Sequence, residues 1–131
     1  MIRNQWYVVL ESREVTKGHV CAVRRMGREL VLWRDHDGTV HCLADHCVHR
    51  GAALKYGRIR GDCIECPFHG LQYAGDGHVT VIPANGKASP VPENFQGEAF
   101  TVREAHGYIY LWWGESCLQY PELPFIPGLD D

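Results

Sequence analysis

Leu30-Val31-Leu32-Trp33-Arg34-Asp35-His36-Asp37-Gly38-Thr39-Val40-His41-Cys42-Leu43 reads as two short strands about a turn. The runs at 30–34 and 39–43 have strand length, and Asp37-Gly38 between them supplies positive φ at low cost, as a hairpin requires. Working outward, residues 20–24 meet 30–34 across Met26-Gly27. Further on, 71–73 and 78–81 flank Gly75-Asp76-Gly77, and 99–104 pairs with 108–113 across His106-Gly107. Residues 6–10 open the series. In the last strand Tyr108, Tyr110 and Trp112 share one face, and Ile109, Leu111 and Trp113 share the other. A strand apolar on both faces is covered on both sides, as in the middle of a sandwich. No segment holds a 3.6-residue period over three turns; residues 52–56 accommodate one helical turn. The expected class is all-β, a small antiparallel sandwich or barrel-like stack.

The chain has 131 residues and a mass of 14.9 kDa, enough for one domain with a core. A net charge of −3, with no run of five like charges, argues against nucleic acid as a partner. The longest apolar stretches, 7–10 and 108–113, are far shorter than the roughly 18 residues of a membrane helix. Residues 1–15 lack a basic start followed by an apolar core, so a cytoplasmic, reducing compartment is expected. There, six Cys and eight His read as metal ligands and buried small side chains rather than as a disulfide framework. Residues 117–131 carry Pro121, Pro124 and Pro127 without alternation and read as a linker or tail after a domain at 1–116.

Chemistry concentrates in two segments. Asp45-His46-Cys47-Val48-His49-Arg50-Gly51-Ala52 offers Cys47 and His49, and Cys66-Pro67-Phe68-His69-Gly70 offers Cys66 and His69. Each contributes one thiolate and one imidazole. Cys-x-His and Cys-x-x-His with residues 50–65 between them is the spacing of a Rieske 2Fe–2S centre, in which two Cys hold one iron and two His the other. Thiolates suit iron–sulfur chemistry, and neutral imidazoles raise the potential. Gly51 and Gly70 let backbone approach the cluster closely. The alternative is a structural zinc ion on the same four residues, with Cys63-x-x-Cys66 as a knuckle half. Against it, Cys47-x-His49 fits neither the usual Cys pair nor the usual His pair of zinc fingers. Cys21 and Cys42 read as buried small side chains, Cys63 as packed, and Cys117 has no assigned role. His46 adjoins Cys47 as a candidate neighbour of the ligands, while His19, His36, His78 and His106 fall at turns or strand starts.

Cys47-Val48-His49-Arg50-Gly51-Ala52-Ala53-Leu54 and Gly61-Asp62-Cys63-Ile64-Glu65-Cys66-Pro67-Phe68-His69-Gly70-Leu71-Gln72-Tyr73 resemble the cluster loops of Rieske non-haem iron oxygenases. Asn4-Gln5-Trp6-Tyr7-Val8-Val9, Glu29-Leu30-Val31-Leu32-Trp33-Arg34 and His106-Gly107-Tyr108-Ile109-Tyr110-Leu111-Trp112-Trp113-Gly114 resemble strands of the same domain, the N-terminal part of the catalytic subunit. Val48 stands where these proteins commonly have Pro, and Leu71 where many have Trp. The resemblance implies a Rieske-type antiparallel sandwich with a small cluster-binding subdomain of two loops, about 45–75. It implies Cys47, His49, Cys66 and His69 as ligands of one 2Fe–2S cluster. Electrons would come from a flavin or ferredoxin reductase and leave to a mononuclear iron held by two His and a carboxylate, a site this sequence does not offer. Arg50 would orient its loop or face the partner, or simply be solvated. A stand-alone Rieske ferredoxin is the alternative within electron transfer. Ala52 and Phe68 occupy the positions of the loop disulfide in the high-potential respiratory class. Leu71 replaces a Ser donor of that class, while Tyr73 keeps the second hydroxyl. A potential of about −150 to 0 mV follows, in the lower part of the Rieske range.

Overall fold

The computed structural model describes residues 2–46, 53–67, 70–81, 96–115 and 119–123. Within them the chain is β throughout, apart from single 3₁₀ turns at Ser12–Glu14 and Leu54–Tyr56. The strands are β1 (Gln5–Glu11), β2 (Cys21–Arg25), β3 (Arg28–Arg34), β4 (Val40–Ala44), β5 (Arg58–Arg60), β6 (Cys63–Glu65), β7 (Gln72–Tyr73), β8 (Val79–Val81), β9 (Ala99–Phe100), β10 (Val102–Ala105) and β11 (Tyr108–Trp113). They form three antiparallel sheets in the orders β1-β11-β10, β2-β3-β4-β9 and β5-β6-β7-β8. No helix among the described residues is long and apolar enough to cross a membrane.

The middle sheet owes its place to β3. Period-2 alternation sends Leu30 and Leu32 to one face, where they are buried with Val9, Leu10, Val40, Cys42, Ile109 and Leu111. It sends Val31 and Trp33 to the other, where they meet Leu43, Leu54, Ile64, Cys66, Leu71, Tyr73 and Val79. One strand thus seals two cores, and the second core carries the candidate site. Arg34 at its end locks the layers together. Its guanidinium makes a bidentate pair with Glu104 of β10 (2.8 and 2.7 Å) and also donates to the carbonyls of Ser12, Val15 and Gly38. The Arg34 bond holds the Glu104 carboxyl below the usual carboxylate range.

Three local expectations changed on folding. Residues 99–104 do not form one strand. Ala99–Phe100 pairs with β4, Val102–Ala105 pairs with β11, and the break falls at Thr101, whose carbonyl accepts from the Trp112 N–H (2.9 Å). β11 does bury both faces, with Ile109 and Leu111 toward the middle sheet. Its other face, Tyr110 and Trp112 with Trp6 of β1, packs against Tyr120 and Leu123 rather than a further sheet. The beginning of the proline-rich segment is therefore a strap on the outer sheet. The Trp6 indole donates to the Pro121 carbonyl (2.8 Å), and the Arg103 guanidinium lies over the Trp6 ring (5.0 Å). The turn between β3 and β4 is also longer than Asp37-Gly38. It runs over Asp35 to Thr39, with the Asp35 carboxylate accepting the N–H groups of Asp37 and Thr39.

Candidate metal centre

Cys66 directly follows β6. Its N–H donates to the Leu71 carbonyl (2.7 Å), closing a wide hairpin loop before β7. The residue is 1% exposed and packs with Ile64, Leu54, Leu71 and Tyr73. Gly70 completes the described part of that loop at φ +72, a left-handed conformation that only glycine adopts cheaply. No charged side chain is buried among the described residues. On its inner side the thiol is walled by the apolar side chains of Leu54, Ile64 and Leu71 and by Tyr73.

A cavity of about 390 Å³ opens on Cys66 and is lined by Tyr56, Gly57, Arg58, Glu65, Pro67 and Gly70 as well. Its far wall is the 3₁₀ turn, anchored by fully buried Leu54. The Lys55 N–H donates to the Asp45 carboxylate (2.8 Å), tying that turn to the end of the described chain before the first loop. Gly57 has to be glycine for packing, since a Cβ there would collide with the Glu65 carbonyl oxygen. Glu65 accepts from Arg58 (2.9 Å) and Arg60 (3.3 Å), and the Arg58 bond holds its carboxyl below the ordinary value. A larger cavity, about 680 Å³, lies elsewhere, beside His41, Gly75 and Phe100, and contains no thiol.

Of the four expected ligands, the structure describes Cys66 alone. Cys47, His49 and His69 lie outside the described residues, as do Arg50, Gly51, Ala52 and Phe68. His46 is exposed, with its N–H on the Ala44 carbonyl (2.9 Å). The other described cysteines separate clearly from the site. Cys42 is fully buried in the opposite core, where burial pushes its thiol far above the ordinary value. Half-buried Cys21 is raised by the same cause. Cys63 points toward the Thr80 hydroxyl (3.7 Å). No disulfide occurs among these four. Cys117 lies outside the described residues.

The contact that aims β6 was missed in the sequence. Asp62, at the β5–β6 turn beside Gly61 (φ +61), accepts from both the backbone N–H (2.7 Å) and the Nδ1–H (2.7 Å) of His36. Its own carbonyl accepts from the Trp33 indole (3.0 Å). The β3–β4 turn is thereby latched to the hairpin that leads into Cys66. The turn dipeptide Gly61-Asp62 was legible; its partner across 26 residues was not. The Asp62 bond, aided by Asp37, raises the His36 pKa above the ordinary value of about 6.5. Stabilisation by this latch is therefore complete below about pH 6.5 and is lost as pH rises through the raised folded value. The urea midpoint of the native chain should fall between about pH 6 and pH 8 relative to His36→Gln, which should be flatter there. Parallel pH profiles for the two proteins would remove the latch from the account.

A sequence profile of the Rieske [2Fe-2S] domain matches residues 5–104, more than half of the chain. The chain belongs to the Rieske family. Its cofactor is accordingly a Rieske-type 2Fe–2S cluster, and a buried thiol at the wall of a cavity, on the loop bearing Cys66-x-x-His69, fits that group. The Rieske chain is 35% identical over 129 residues to aminopyrrolnitrin oxygenase PrnD of Pseudomonas fluorescens, covering 95% of itself and 35% of that protein. It is 37% identical over 117 residues to the oxygenase component of chloroacetanilide N-alkylformylase from Rhizorhabdus wittichii, covering 89% of itself and 32% of that protein. The crystal structure of dicamba monooxygenase with non-haem iron and dicamba superposes at TM-score 0.83 and 30% identity, covering 92% of this chain and 36% of that one. The chain thus spans about a third of the length of these relatives.

Proposed function

We propose that this Rieske domain is the electron-transfer part of an oxygenase system, taking single electrons from a flavin or ferredoxin reductase and passing them to a mononuclear non-haem iron site. The reading rests on the buried Cys66 thiol beside an open cavity, in a domain whose relatives are oxygenase components. Cys47 and Cys66 would hold one iron as thiolates, and His49 and His69 the other as neutral imidazoles. Bound there, the cluster supplies reversible one-electron chemistry. The chain's own residues set its conditions. Leu54, Ile64, Leu71 and Tyr73 exclude water from the Cys66 side, and Leu71, fully buried and aliphatic, offers no hydrogen bond to a sulfur.

Lacking that donor, and with Ala52 and Phe68 at the positions of the loop disulfide, the cluster should have a midpoint in the lower Rieske range, about −150 to 0 mV. This suits acceptance from a reduced flavin or ferredoxin and is too low for quinol oxidation. Iron and acid-labile sulfide should each assay at about two per chain, and film voltammetry should find the midpoint in that window. Stoichiometric zinc without iron, in protein made under iron-replete conditions, would overturn the cluster assignment. A midpoint above about +150 mV would overturn the low-potential class.

A further inference from the structure

Three cations and no anion fall within Lys55-Tyr56-Gly57-Arg58-Ile59-Arg60, in a chain whose net charge is −3. The fold displays them together. β5 is the edge strand of its sheet, and period-2 alternation turns Ile59 inward while Arg58 and Arg60 face outward. Both guanidiniums donate through Nε to the single Glu65 carboxylate, with side chains still 66% and 49% exposed. One anion thus holds two forks side by side, and their Nη donors have no partner among the described residues. Next to them Tyr56 is 73% exposed, the most exposed of the large hydrophobics among the described residues, and the Lys55 ammonium lies over its ring (5.3 Å). Tyr56 and Arg58 both line the cavity that opens on Cys66. Exposed Tyr beside Arg is the composition of an interface anchor, and the remaining Nη donors of the two guanidiniums suit further carboxylates.

We infer that the Lys55–Arg60 rim is the docking surface for an acidic electron-carrier protein, with Tyr56 as its apolar anchor and Arg58 and Arg60 pairing with carboxylates of the carrier. The inference rests on the electron-transfer reading above and adds the partner's chemistry to it. One electron leaves the reduced carrier and enters this chain, with no bond made or broken. An acidic protein is favoured over nucleic acid because the cationic stripe is short and the chain as a whole is negative.

The test uses the cluster-loaded full chain and a plant-type 2Fe–2S ferredoxin as the acidic probe. Calorimetric affinity for oxidised ferredoxin should weaken sharply between about 0.01 M and about 0.15 M salt, as the Debye length shortens from about 30 to about 8 Å. The Arg58→Gln/Arg60→Gln variant should lose about tenfold or more in affinity and in the rate of reduction by reduced ferredoxin. Tyr56→Ala, at a site too exposed to threaten the fold, should lose affinity with its salt dependence intact. Arg103→Gln, on the outer sheet, should match the native chain. Reduction by the methyl viologen radical should be equal in all four proteins. Failure of viologen to reduce the native chain would defeat the electron-transfer reading itself. Normal viologen reduction with ferredoxin affinity unchanged in both rim variants would defeat the docking surface alone, as would tighter binding of basic cytochrome c or of duplex DNA than of ferredoxin.

Discussion

Cys66→Ala should yield a colourless protein, with iron and labile sulfide falling from about two per chain to background. The substitution separates ligation from packing because the backbone contact that shapes the loop survives. The N–H to the Leu71 carbonyl (2.7 Å) needs no side chain, and loss of one sulfur leaves only a small void among Ile64, Leu54 and Leu71. Compared as apoproteins, native and variant chains should differ by about 1 kcal/mol, an ordinary cost for a minor core truncation. Cys42→Ala is the matched control. It is equally buried, but on the far side of the middle sheet with Leu30, Leu32 and Ile109, and its thiol is held protonated by burial. That variant should keep the full visible spectrum. A native spectrum in Cys66→Ala, or its loss in Cys42→Ala, would reassign the ligands.

The contrast between these two cysteines shows what could be read in the sequence. Cys42 alternates with Val40 along a strand and declares itself a core residue; Cys66 stands before Pro67 in a Cys-x-x-His motif with no alternation, the pattern of a candidate ligand. The hairpins were legible for a similar local reason. Met26-Gly27 and His106-Gly107 adopt the positive φ pairs (51 and 71, 56 and 81) that two-residue hairpin turns demand. What escaped was non-local. Nothing between residues 99 and 104 marks the change of sheet at Thr101, because which sheet a strand joins depends on neighbours 50 or more residues away, Leu43 and Cys42 for Ala99 and Phe100. β1 and β11 pair across the whole domain, Gln5 with Trp113 and Trp6 with Trp112. β5 and β6 carry one inward residue each, Ile59 and Ile64, too few for a period to be seen. The strap at Tyr120–Leu123 was hidden by its prolines, which forbid regular strand pairing but not apolar packing on Trp6 and Trp112.

Those non-local contacts make Trp33 the residue whose loss should cost most. Trp33→Ala should destabilise the apoprotein by about 3–5 kcal/mol in urea denaturation, the range for deleting a buried large aromatic. The ring is 0% exposed, packs in the core beneath Cys66, and lies 5.5 Å from the His41 ring. Its indole N–H is the donor to the Asp62 carbonyl, so the same deletion also releases the turn that leads into β6. The damage should therefore reach the site as well as the global fold. Trp6 provides the comparison: it too is buried and donates to a backbone carbonyl, that of Pro121, but it packs on the outer sheet with Tyr110 and Trp112. Trp6→Ala should lower stability by a similar amount and leave the rate of iron release to a strong chelator near the native value. Trp33→Ala should release iron about tenfold faster or more under conditions where both variants remain folded, since a few kcal/mol of local stability governs opening at the loop. Trp33→Phe, which keeps an aromatic ring of smaller volume and loses the indole donor, should fall between the two. Equal iron release from Trp33→Ala and Trp6→Ala would mean that the core beneath Cys66 supports the fold without supporting the loop that carries it.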